Sequence, residues 1–169
     1  MTTDSVVQDI KSLKIQGASN VAKAALKAYA AAKNRPSAAK KLAAARPTEP
    51  MLKNMLKLAA HQSPEQILGK LASDMDKITL FGARKLSRCN SIYTHCHSST
   101  VMKIIKAVEP AVVYATETRP LYQGRITAEE LASAGVKVEY SVDSLMATQI
   151  ERCDVVLLGA DAITADGFY

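Results

Sequence analysis

Cys96 stands between two imidazoles in the run Thr94-His95-Cys96-His97-Ser98-Ser99, where a short β-rich stretch gives way to a helix-length one. A thiol at such a junction lies near the positive end of the helix dipole, and a protonated His95 or His97 beside it would favour the thiolate. That cysteine can act as a base or a nucleophile; buried, it would be only a small apolar filler. Asp161, in Gly159-Ala160-Asp161, follows an apolar run and could retain a proton for donation, or cap the next turn. Ser98, Ser99 and Thr100, together with the amides of a helix start, could cradle a phosphate or merely cap the helix. Cys89 and Cys153 precede apolar runs rather than follow them, which fits packing. Cys89, His95, Cys96 and His97 are metal-binding types, but neighbours on an extended strand point to opposite sides and the spacing matches no familiar zinc pattern. No metal is expected.

The elements that must position these groups can be read from periodicity. Short apolar runs at Ser91–Thr94, Ala111–Thr116, Val136–Tyr140 and Asp154–Gly159 alternate with helical segments at Ser98–Val108, Thr127–Ala134 and from Asp143 to Ile150. This alternation predicts a parallel sheet covered on both faces, with right-handed crossovers. Ligands of open parallel sheets bind at the carboxyl ends of the strands. The four runs deliver to that edge the cysteine cluster, Glu117-Thr118-Arg119, Ser141-Val142-Asp143 and Gly159-Ala160-Asp161. Every strong polar cluster of this half falls on one edge.

The first half reads as helices. Val6, Val7, Ile10 and Leu13 recur at helical spacing. So do Val21, Ala25, Leu26 and Tyr29 within Ala18–Lys33, and Met51, Leu52, Met55, Leu56 and Ala59 behind an N-cap at Thr48. Pro36 ends one helix or starts the next. Ser63-Pro64-Glu65-Gln66 is a capping box, with Ile67, Leu68 and Leu71 as the apolar side of its helix. Two features could also meet an anion: Gln16-Gly17-Ala18-Ser19 opens a helix with a glycine, and Arg46-Pro47-Thr48 sets a guanidinium ahead of another. Capping and loop roles explain them equally well. The expected fold is α/β, with an N-terminal helical domain over residues 1–78 and an incomplete Rossmann-like parallel sheet with flanking helices over 79–169.

The net charge is +6, but residues 1–78 hold 13 Lys and Arg against 6 Asp and Glu, whereas 79–169 hold 9 against 10. The basic excess is confined to the helices, where solvated Lys-rich faces account for it as well as an anionic partner would. No apolar run approaches a membrane span, the N-terminus lacks the order of a secretory signal, and three irregularly spaced cysteines make no disulfide framework. These features predict a cytoplasmic location.

Ile15-Gln16-Gly17-Ala18, Arg46-Pro47-Thr48, Thr94-His95-Cys96-His97-Ser98, Glu117-Thr118-Arg119-Pro120 with Gln123-Gly124, and Gly159-Ala160-Asp161-Ala162-Ile163 occur in an order that resembles one superfamily. It comprises the α, β and δ regulatory subunits of translation initiation factor 2B, the archaeal ribose 1,5-bisphosphate isomerases and the methylthioribose-1-phosphate isomerases. The resemblance implies that Cys96 takes a proton from the second carbon of the sugar and that Asp161 donates one as the ring opens. It implies substrate contacts at Gln16, Gly17, Ala18, Ser19, Arg46, Ser98, Ser99 and Thr100, with His95, His97, Glu117, Arg119 and Gln123 in support, and no metal or redox cofactor. His97-Ser98 resembles the ribose-bisphosphate branch, the methylthioribose branch usually having Asn-Ala-Gly there.

Two departures bear on activity. The enzymes commonly have Arg where this chain has Gln16, which weakens one phosphate contact. The superfamily also continues with an Asn-Lys pair and a later lysine that hold phosphate, so this chain is expected to be a fragment or a shortened paralogue with poor or no turnover. The resemblance thus implies an aldose-ketose isomerase of archaeal nucleotide salvage and AMP metabolism, converting ribose 1,5-bisphosphate to ribulose 1,5-bisphosphate. Its alternative is a non-catalytic regulatory subunit that binds a nucleotide or sugar phosphate and contacts initiation factor 2. Dimers or hexamers are implied in either case.

Overall fold

The computed structural model describes residues 2–168, which form two compact units, 2–73 with 160–168, and 74–159. In the first unit, helix α1 (Thr3–Lys11) starts at a capping box in which Thr2 and Ser5 exchange side-chain bonds. Helix α2 (Ala18–Ala31) opens on Gly17, whose φ of 80° is one that glycine adopts at little cost. Pro36 starts a helix rather than ending one: α3 (Arg35–Ala45) is capped by the Asn34 side chain. Helix α4 spans Pro50–Leu58. Its N-cap is Glu49, not Thr48, because Pro50 occupies the first helical position and fixes the start one residue later than expected. Ser63 and Gln66 form the anticipated box at the head of α5 (Pro64–Lys85), with bonds of 2.9 and 3.3 Å. Val6, Ile10, Val21, Leu26, Leu42 and Leu52 make the core, whereas Leu13 lies past the end of α1 and is exposed. Strands β5 (Ile163–Thr164) and β6 (Gly167–Phe168), numbered after the four of the sheet, pair as an antiparallel hairpin in this unit.

The second unit holds the rest of α5 and alternates β1 (Ser91–Thr94), α6 (Ser99–Val108), β2 (Val112–Thr116), α7 (Gln123–Ser133), β3 (Val138–Ser141), a 3-10 turn (Asp143–Leu145), α8 (Met146–Ile150) and β4 (Val155–Val156). All four strands are parallel, in the order β3-β2-β1-β4. Ile92, Val113, Ile105 and Leu131 join strands to helices in its core. The last strand is much shorter than its apolar run, Asp154–Gly159. It pairs only with β1, so Val156 and Leu158 lie exposed where an inner strand would have buried them. Asp154 fixes its start by accepting the amides of Asn90 at 2.7 Å and Ser91 at 2.9 Å. Among the described residues no helix is long and apolar enough to cross a membrane.

Candidate active site

Strand order reverses between β1 and β4, and the carboxyl ends on either side of such a reversal form a ligand crevice. The chain leaving β4 passes so close to the head of α6 that a methyl group on Gly159 would lie 2.6 Å from Ser98 Oγ. Glycine is what permits that approach. Ser98 is the N-cap of α6, accepting the Val101 amide at a long 3.5 Å, so its hydroxyl has a capping role whatever else it does. Ser99 and Thr100 form the first turn behind it.

Cys96 sits at the end of β1 with an exposed side chain and a left-handed backbone, φ 66°. That conformation costs a non-glycine residue about 1–2 kcal/mol. It is held from both sides. The Cys96 amide donates to Thr118 Oγ1 at 2.9 Å, and its carbonyl accepts the Thr127 hydroxyl at 2.7 Å. Two hydrogen bonds worth about 1 kcal/mol each offset the conformational cost.

The Thr127 bond also fixes a tautomer. A carbonyl carries no proton, so the hydroxyl hydrogen of Thr127 must lie in the 2.7 Å contact. Its 3.0 Å contact with His97 Nδ1 is then donated by the imidazole, which leaves Nε2 facing Glu130 at 3.7 Å. Glu130 in turn binds Lys106 at 2.7 Å. His95 Nδ1 and the Tyr93 hydroxyl share Thr116 Oγ1 at 2.8 and 3.1 Å. Burial raises the Tyr93 phenol above its usual range, against the bond from Thr116, so it remains protonated.

Glu117-Thr118-Arg119 follows β2. Arg119 Nε binds Glu117 at 3.1 Å while its guanidinium lies 4.9 Å over the Tyr122 ring. Thr118 is itself left-handed, φ 59°, and Asp143 accepts the amides of Thr118 and Arg119, each at 2.8 Å. The Arg119 amide, followed by that of Thr118, holds the Asp143 carboxyl below its ordinary value despite partial desolvation. Gln123 opens α7 one turn ahead of Thr127.

The remaining anticipated residues belong to the first unit. Gln16 lies exposed ahead of α2, and its carbonyl accepts from Asn20 at 3.2 Å. Gly17 gives α2 no side-chain cap, leaving the amides around Ala18 and Ser19 without one. Arg46 ends α3, with Nε 3.9 Å from Glu49. Asp161 is exposed. Glu49 is buried, and neither carboxylate oxygen has a hydrogen-bond partner. Burial, then the nearby Asp161 charge, raise its pKa, against Arg46 and the Met51 amide.

Sequence reasoning did not single out Thr118, Thr127 or Glu49. Thr118 lies between the charged Glu117 and Arg119, and Thr127 is by its sequence context an ordinary helix residue. The signal that could have found Thr127 was a hydroxyl at a core-facing position of α7, one turn from Gln123. Among the described residues, no group of three or more His, Cys, Asp or Glu is gathered as a metal ion would require.

By fold and site the second unit is an open parallel α/β domain with a cysteine at the ligand edge of an inner strand. The chain belongs to the initiation factor 2 subunit family, whose pattern it matches over residues 14–169. It is 31% identical to the ribose 1,5-bisphosphate isomerase of Thermococcus kodakarensis, the alignment covering 96% of this chain and 62% of that protein. It is 33% identical to the enzyme of the same name from Methanocaldococcus jannaschii, covering 95% and 61%. The chain therefore spans less than two thirds of the length of these relatives. Its fold resembles that of a Pyrococcus horikoshii OT3 translation initiation factor eIF-2B, with a TM-score of 0.83 at 22% identity, covering 98% of this chain and 68% of that one.

Proposed function

We propose that this chain carries the acid-base residues of a cytoplasmic aldose-ketose isomerase that converts ribose 1,5-bisphosphate to ribulose 1,5-bisphosphate. The observation that carries the reading is the exposed thiol of Cys96, held at the strand-order reversal where ligands of such sheets bind. The names of the archaeal relatives supply the substrate.

The chemistry needs one base and one acid. The Cys96 thiolate takes the hydrogen on C2 as a proton, and the C–H pair becomes the C1–C2 double bond. The bond from C1 to the ring oxygen breaks, and that oxygen takes the proton of Asp161. The enol hydroxyl at C2 then gives up its proton as C1 receives the one held by Cys96, leaving a ketone at C2. Asp161 recovers the enol proton through solvent. The α6 start at Ser98, Ser99 and Thr100, the α2 start at Gln16 to Ser19, and Arg46 supply donors suited to the phosphates. His95, His97, Glu117, Arg119 and Gln123 support the cysteine side.

The test is conversion of ribose 1,5-bisphosphate by protein expressed from the complete reading frame, followed by NMR of C1 and C2. Appearance of the C2 ketone supports the reading. No conversion, together with a melting temperature raised by AMP or a sugar phosphate, would replace it with that of a non-catalytic regulatory subunit.

A further inference from the structure

We propose that Thr118 and Thr127 are positioning residues for Cys96, one hydroxyl gripping its amide and the other its carbonyl, so that the thiol is presented from a fixed left-handed backbone. The proposal deepens the isomerase reading and rests on it only for the role of the thiol, not for the grip itself. Cys96 lies between β1 and α6 with an exposed side chain, beside the half-buried His95 and His97, and its peptide groups are outside the regular ladder of either element. Each is bound by a buried threonine, from sites 22 and 31 residues further along the chain. Neither bond belongs to the sheet ladder or to a helix.

Both grips are themselves braced. Asp143 holds the amide of Thr118, whose backbone is also left-handed, and His97 Nδ1–H donates to Thr127 Oγ1. The path Asp143–Thr118–Cys96–Thr127–His97 therefore ties the ends of β1, β2 and β3 and the second turn of α7 to the backbone of a single residue. Three left-handed non-glycine residues, Cys96, Thr118 and Tyr122, fall within this edge. Strained conformations persist where the surroundings over-determine them, and they concentrate where function needs a fixed geometry. A threonine suits the task because its two staggered substituents at Cβ leave its hydroxyl few directions.

The first measurement needs no variant. Amide exchange in the wild-type protein should show the Cys96 N–H slowed at least about ten-fold against an unstructured chain, although the residue is exposed. Exchange at the unstructured rate would overturn the proposal. The second compares Thr118→Val and Thr127→Val with Thr118→Ser and Thr127→Ser, reading the Cα and carbonyl shifts of Cys96 for its left-handed backbone. The Ser variants should keep those shifts and each Val variant should lose them. Val variants that keep them, or Ser variants that lose them equally, would contradict it. These readouts stand whether or not the protein turns over ribose 1,5-bisphosphate. Where turnover is present, each Val variant should lower kcat by about five-fold or more with KM within two-fold, and Ser should restore it. A raised KM at unchanged kcat would assign the threonines to ligand binding instead.

Discussion

Gly124, in the first turn of α7, packs against the carbonyl oxygen of Thr116 at the end of β2, leaving no room for a side chain between them. A methyl group there would run into main chain, which cannot swing aside as a flexible side chain can. The helix that brings Thr127 to Cys96 is therefore seated on the strand that carries Thr116 to Thr118, with glycine as the spacer.

Gly124→Ala should accordingly be costly. Overpacking against a backbone atom is expected to destabilise the second unit by about 3 kcal/mol or more. Urea unfolding followed by circular dichroism measures this, with Gly69→Ala as control, since a methyl group at Gly69 meets nothing within 4 Å. Equal losses for the two variants would show that α7 can lift from the strand end.

Asp143 accepts two amides and has a lowered pKa, so its ionised form contributes stability above the unfolded value of 3.8. That contribution is lost as pH falls through the native value, which lies below 3.8. Asp143→Asn should therefore melt below wild type at neutral pH, and the gap should close under acid conditions. A gap that persists unchanged below pH 3.8 would mean that the carboxylate charge is not what holds Thr118 and Arg119.

Glu49 shifts in the opposite direction. Its native pKa is raised above 4.5, so the protonated form is favoured by the fold and its stabilising share is lost as pH rises through the native value. Glu49→Gln lacks that loss. Its melting temperature relative to wild type should therefore rise between pH 4.5 and neutrality, as thermal scans at several pH values would show. A relative melting temperature that falls over this range would indicate that the contact with Arg46 outweighs burial.

Much of this architecture was legible because it depends on local pattern. The change from helical spacing to short β-rich runs in the second half of the chain located the sheet, and the strand-end rule placed Cys96, Glu117, Arg119 and Asp143 on one edge. Pro64 and Ser63 announced the head of α5 in the same way. The parts that escaped are set by tertiary contacts. Nothing local tells that Cys96 adopts φ 66°, since that follows from hydroxyls far along the chain. The run Asp154–Gly159 has the composition of a buried strand, yet only Val155–Val156 pair in the sheet, at its edge. The burial of Glu49 comes from the packing of α4 against its neighbours, and composition does not reveal it.

The most direct test of the catalytic assignment is turnover of ribose 1,5-bisphosphate by the complete protein beside its Cys96→Ser and Asp161→Asn variants. Loss of a positioned acid or base should lower kcat by about 10²–10⁴-fold in each, with both variants folded and still stabilised by the sugar bisphosphate. Wild-type turnover that survives either substitution undiminished would contradict the roles given to Cys96 and Asp161.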